Sequence, residues 1–112
     1  MYPVDNYRIP DEKETKVEVI RARVGEPFTI SLPGNPTTGY EWKADYDYVL
    51  LKLESALFEG STSETKLVGA GGTSSFVFLP IKPGKSTIYF VYKRSWENIA
   101  ADTRAFHVEI SA

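Results

Sequence analysis

Cysteine does not occur among the 112 residues of this chain. Its absence excludes a disulfide framework, a thiol nucleophile and thiolate metal sites, and agrees with a reducing compartment. A single histidine leaves no transition-metal site. The acidic residues are scattered, without the clustered spacing of a calcium loop, and no pattern asks for a cofactor. No run approaches the roughly eighteen apolar residues that a membrane helix requires. Net charge is also small: 13 Lys and Arg stand against 15 Asp and Glu, giving −2. That balance offers no electrostatic footprint for nucleic acid or anionic lipid. Met1 to Lys16 lack the basic-then-apolar pattern of a signal peptide. The default expectation is a cytoplasmic protein, or a vesicular, lysosomal or secreted one if a leader has been removed. Asn35-Pro36-Thr37 is the one Asn-x-Ser/Thr sequence, and its proline disqualifies it as a glycan acceptor.

What remains is an ordinary folded domain, 42% apolar and 25% charged, long enough for one core. Residues 1–15 are polar, with Pro3 and Pro10, and read as a flexible arm or edge segment. The domain proper is expected over 16–112. Alternation with a period of two begins at Val17 and runs to Val24; Gly25-Glu26-Pro27 is a turn. Phe28, Ile30 and Leu32 alternate with Thr29 and Ser31. Tyr40 and Trp42 alternate with Glu41 and Lys43, and a further strand is expected from Val49 to Phe58. Phe76 to Ile81 is apolar on both faces, so its inward side is undetermined. Lys82-Pro83-Gly84-Lys85 is a turn, Ile88, Phe90 and Tyr92 mark the next strand, and Phe106, Val108 and Ile110 point inward from the last. About seven short strands with Gly/Pro turns and no required helix imply an all-β fold. The architecture expected is an immunoglobulin-like antiparallel β-sandwich without the disulfide, with Trp42 in its core.

Three segments outside the strands carry more character than turns need. In Asn35-Pro36-Thr37-Thr38-Gly39-Tyr40, Pro36 fixes its own φ and holds Asn35 extended. Thr37 and Thr38 are stiff at χ1, and Gly39 tolerates positive φ. Such rigidity suits either a well-formed turn or a loop that presents the Thr hydroxyls to a partner. Gly69-Ala70-Gly71-Gly72-Thr73 lacks the Lys-Ser/Thr ending of a phosphate loop and precedes a strand. It fits a flexible connector or a bare backbone edge for an extended partner. Arg94-Ser95-Trp96 sets a Trp among polar residues, either folded back on the sandwich or projecting as an interface anchor. If strands alternate up and down, the three segments share one end of the sandwich.

Catalysis finds little support. His107 is expected on the solvent face of the last strand, and Asp102 and Ser111 are its neighbours only in sequence. No nucleophile elbow is present. An enzyme is therefore not expected. An exposed set of aromatic residues suits an immunoglobulin-like adhesion or carbohydrate-binding module, which stands as one reading.

The three segments in this order closely resemble the chagasin family of cysteine-protease inhibitors, and the resemblance covers the chain from about Lys16 onward. It implies tight, reversible inhibition of papain-like, cathepsin-type cysteine proteases; the chain is expected to act as a monomer, and no cofactor or metal is expected. It further implies that Asn35, Pro36, Thr37, Thr38, Gly39 and Tyr40 enter the active-site cleft, with Thr37 near the catalytic Cys–His pair. Gly69, Ala70, Gly71, Gly72 and Thr73 would pair by backbone on the non-primed side. Arg94, Ser95 and Trp96 would pack on the primed side. One departure stands out: the family usually has Pro between the Arg and the aromatic residue, where this chain has Ser95.

Overall fold

The structure, a computed structural model, describes residues 16–34, 39–60 and 72–112. The expected arm over 1–15 lies outside them. Seven strands follow in order: β1 (Lys16–Arg23), β2 (Phe28–Gly34), β3 (Tyr40–Asp45), β4 (Leu51–Gly60), β5 (Gly72–Pro80), β6 (Gly84–Arg94) and β7 (Asp102–Ser111). They form a four-stranded sheet in the order β1-β7-β6-β3 and a three-stranded sheet in the order β2-β5-β4. Every pairing is antiparallel except that of β1 with β7, which is parallel with Lys16 opposite Arg104.

The inward residues of both sheets interdigitate around Phe90, itself wholly buried. Its ring lies 4.8 Å from Phe76, 5.6 Å from Phe106 and 6.4 Å from both Trp42 and Phe78. The contacts with Trp42, Phe78 and Phe106 are edge-to-face, the arrangement that the aromatic quadrupole favours over a face-to-face sandwich. Ile30, Leu32, Leu51, Ile88, Val108 and Ile110 complete the centre.

The structure decides the inward face of β5. Register with β2 sets Phe76 opposite Ile30 and Phe78 opposite Phe28. Phe76, Phe78 and Pro80 are buried, whereas Ile81 is exposed. The fourth strand starts later than its alternation suggests. Asp47 accepts the Val49 amide on Oδ1, and its carbonyl accepts the amides of Leu50 and Leu51. Those bonds close a turn, so β4 begins at Leu51 and Val49 is left exposed. A register shift between Leu53 and Ser55 then breaks the alternation, and Leu57 and Phe58 end up exposed on the β4 edge.

The three described connections at one end are short and tied across. Gly25, with φ 85°, donates its amide to Pro80, and Ile81 donates to Leu50. The opposite end carries the connections β2–β3, β4–β5 and β6–β7.

Candidate functional site at one end of the sandwich

Register alone gathers the ends of six strands. Gly34 at the end of β2 and Gly60 at the end of β4 both pair with Gly72 at the start of β5. Tyr40 at the start of β3 pairs with Arg94 at the end of β6, and Tyr92 pairs with Asp102 at the start of β7. Trp42 joins the two groups across the layers: its Nε1–H donates to the Pro33 carbonyl at 2.9 Å. Gly34 sits where a Cβ would lie 3.6 Å from that indole nitrogen and 3.7 Å from the Tyr92 ring. The strand ends flanking the three distinctive segments are therefore on one surface.

Within that surface the described site residues form a continuous stack. Tyr92 lies tilted on Trp42 at 4.7 Å, Tyr40 stacks on Tyr92 at 5.1 Å, and the Arg94 guanidinium sits 4.6 Å above the Tyr40 ring. The Trp96 ring is 5.9 Å from the same guanidinium. A cation held between aromatic faces gains from the ring quadrupoles, more so where water is partly excluded. Arg94 Nε is buried without a hydrogen-bond partner but lies 3.7 Å from Glu97 Oε1. The Glu97 amide donates to the Arg94 carbonyl at 3.1 Å, which closes a four-residue turn with Ser95 and Trp96 at its corners. Farther along, the Ala101 amide returns to the Tyr92 carbonyl at 2.8 Å.

Trp96 remains 69% exposed, so it projects rather than burying itself in the sandwich. It nevertheless touches the first segment. Gly39 has φ 85°, and a Cβ there would lie 2.7 Å from Trp96 Cη2. Positive φ favours glycine there, and a Cβ would displace the outer end of the Trp96 ring from the place it occupies.

Asn35, Pro36, Thr37 and Thr38, and likewise Gly69, Ala70 and Gly71, lie outside the described residues. Gly72 and Thr73 belong to β5, not to a free loop: each is paired on one side with β2 and on the other with β4. Their ladder positions are taken, because β5 is the central strand of its sheet. Any free backbone edge in this segment must precede Gly72. Tyr40 and Arg94 are likewise strand residues, paired with each other.

His107 is exposed on the four-stranded sheet, its Nδ1 2.8 Å from Thr87 Oγ1. Asp102 is occupied by the Thr103 amide and by Arg104, and Ser111 Oγ donates to the Ala22 carbonyl. No triad assembles from them. Among the described residues, no group of three or more His, Asp or Glu could hold a metal ion, and no helix is long and apolar enough to cross a membrane.

Comparison with known proteins gives the family. Residues 21–110 match the family described as chagasin family peptidase inhibitor. The chain belongs to that family. It is 33% identical over 95 residues to "Chagasin" of Trypanosoma cruzi, an alignment covering 80% of this chain and 84% of that protein. It is 29% identical over 101 residues to "Amoebiasin-1" of Entamoeba histolytica, covering 90% of this chain and 93% of that protein. Among solved structures, a cysteine protease inhibitor from Entamoeba histolytica superposes with a TM-score of 0.77 at 25% identity, covering 94% of this chain and 96% of its own. The structure of Leishmania mexicana ICP superposes at 0.65 with 28% identity, covering 91% of this chain and 95% of its own. This family member is thus a peptidase inhibitor and not an enzyme.

Two residues of the site escape a reading of motifs. Glu97 is a plain surface acid in sequence, although its spacing of three from Arg94 is the signal for a turn-closing partner. Tyr92 reads only as a strand aromatic, yet it carries Tyr40 and through it Arg94.

Proposed function

We propose that this chain is a tight, reversible, non-covalent inhibitor of papain-like cysteine proteases, acting as a monomer through the end of the sandwich described above. The observation that carries the reading is the Trp96–Arg94–Tyr40 stack, projecting beside Gly39 at the entrance to the Pro- and Thr-rich segment.

Cleavage of a peptide requires its carbonyl within about 3–3.5 Å of the nucleophile and aligned for attack. A segment stiffened by Pro36, Thr37 and Thr38 can fill that space while offering no extended bond in register. The Thr hydroxyls can hydrogen-bond a thiolate–imidazolium pair, and they carry no leaving group. Gly69, Ala70 and Gly71 allow close backbone approach on one flank, and Trp96 with Arg94 supplies an apolar and cationic contact on the other. Rigid segments reduce the ordering cost of association, which separates tight from weak interfaces of equal area. An interface of standard size, on the order of 1,600 Å², is sufficient.

Titration of purified papain with the protein, following hydrolysis of a small peptide substrate, tests this. Stoichiometric inhibition at nanomolar concentration with the inhibitor recovered uncleaved is the expected result. A folded protein that leaves papain active at micromolar concentration would overturn it.

A further inference from the structure

We propose that Gly39 is a positioning residue for Trp96, so that the start of β3 and the Arg94–Glu97 turn form one preset unit in the free protein. This rests on the inhibitor reading and extends it to how the site is held ready before a protease arrives.

Four observations converge. The Gly39 backbone occupies the left-handed region, and a Cβ on it would stand 2.7 Å from Trp96 Cη2 and 3.4 Å from Cζ3. A contact of 2.7 Å is one no real Cβ sustains, so the outer benzo ring of Trp96 uses the space that glycine leaves. The indole is also 5.9 Å from the Arg94 guanidinium. Arg94 is fixed in turn by Tyr40 at 4.6 Å and by Glu97 at 3.7 Å. The turn from Arg94 to Glu97 is closed by its own backbone bond. Tyr40 directly follows Gly39 in the chain, so the residue that seats Trp96 and the residue that seats Arg94 are neighbours at the same strand start.

The physical consequence concerns side-chain freedom. An exposed Trp on a flexible turn loses rotamer freedom on docking, which weakens binding by about 2- to 13-fold per immobilised side chain. A Trp already seated on Gly39 loses less at that moment. The arrangement also gives Ser95 a tolerable place at the turn. Proline at the second turn position would set φ for the turn directly; here the approach to Gly39 and the Arg94 guanidinium hold the Trp instead.

The experiment is a double-mutant cycle read by inhibition of papain. Gly39→Ala is measured in the natural background and again in a Trp96→Phe background, where the ring lacks the atom nearest Gly39. The seating predicts a loss for Gly39→Ala of about tenfold or more when Trp96 is present, and a clearly smaller loss when Trp96→Phe has already been made. Equal losses in the two backgrounds would assign the whole effect to backbone strain at positive φ and overturn the proposal. If Gly39→Ala does not fold, the contact is read in the free protein by NMR with Trp96→Ala, a change at an exposed site. The Gly39 Hα resonances should move toward ordinary glycine values when the ring is removed; unmoved resonances would refute the seating. Failure of the unmodified protein to inhibit papain would instead sink the inhibitor reading, and the NMR result would still judge the contact itself.

Discussion

Replacing Trp96 with alanine separates affinity from stability. A Trp side chain presents up to about 250 Å², and Trp96 is 69% exposed, so roughly 170 Å² is available to a partner. At about 25 cal/mol per Å² its complete burial would be worth on the order of 4 kcal/mol. Incomplete burial and the residual ordering cost bring the expected loss to about 2–4 kcal/mol, the range of an interface anchor. Expressed as inhibition, that is roughly a 30- to 900-fold rise in the inhibition constant. The rise should come mainly from faster dissociation, as is usual among variants of one interface. Folding should hardly notice, because the indole contributes little to the core and its contact with Gly39 is at the surface. The assay is progress-curve inhibition of papain, which yields both rate constants, paired with urea unfolding of the free variant. An unchanged inhibition constant would remove Trp96 from the interface. A matching fall in stability would show that the ring is structural, and the accounting above would be wrong.

Three further outcomes are expected. Thr37→Ala should weaken papain inhibition by about 1–2 kcal/mol, as the loss of one buried hydrogen bond; total loss of binding with no effect of Trp96→Ala would invert the weighting of the two segments. Trp42→Phe should cost about 2–3 kcal/mol in urea unfolding, combining a smaller ring in the core with the loss of the bond to the Pro33 carbonyl. An unaltered unfolding midpoint would mean that the layers are not joined there. Asp45 lies at the far end of β3, with Oδ2 buried and without a hydrogen-bond partner. Burial raises its pKa above the ordinary 3.8. The folded chain then holds the proton more tightly than the unfolded chain does, so ionised Asp45 opposes folding at neutral pH, and the opposition fades as pH falls through the folded pKa toward 3.8. Asp45→Asn should therefore raise the melting temperature at about pH 7, with the gain shrinking in acid; a gain that is constant with pH would refute the assignment.

The strands were legible because burial on one face imposes a period of two, and β2, β3 and β7 obey it almost residue by residue. Legibility failed where local bonding or tertiary pairing overrode that period. Val49 has the spacing of a strand residue, but the Asp47 carboxylate and carbonyl take the neighbouring amides, and a side-chain-capped turn replaces the first strand positions. Phe76 to Ile81 could not be oriented from its own composition, since apolar residues occupy both faces; the partner strand β2 decides it. Gly72 and Thr73 look like loop by composition, but two neighbours pair with them. The parallel pairing of β1 leaves no mark in its sequence, because a strand's alternation is the same in either direction.

The candidate site shows a second kind of limit. Its residue types could be picked out because Pro, Gly, Thr and Trp are unusual company for a simple turn, but the relations between them are spatial. Arg94 and Tyr40 are far apart in sequence, and only the β3–β6 register makes them partners. From that pairing the stack runs inward through Tyr92 to Trp42, whose indole is bonded to the end of β2, the strand from which the first segment departs. The exposed anchor is thus connected to the buried core through the Arg94 guanidinium and the rings of Tyr40 and Tyr92, and the core tryptophan sits on the joint between the two sheets. Substitutions at Tyr92 or Trp42 should therefore reach inhibition as well as stability, whereas changes at the opposite end, around Asp45, should alter stability alone. That asymmetry is what a scaffold rigid at one end would show, because displacement at the base of the stack moves every ring above it.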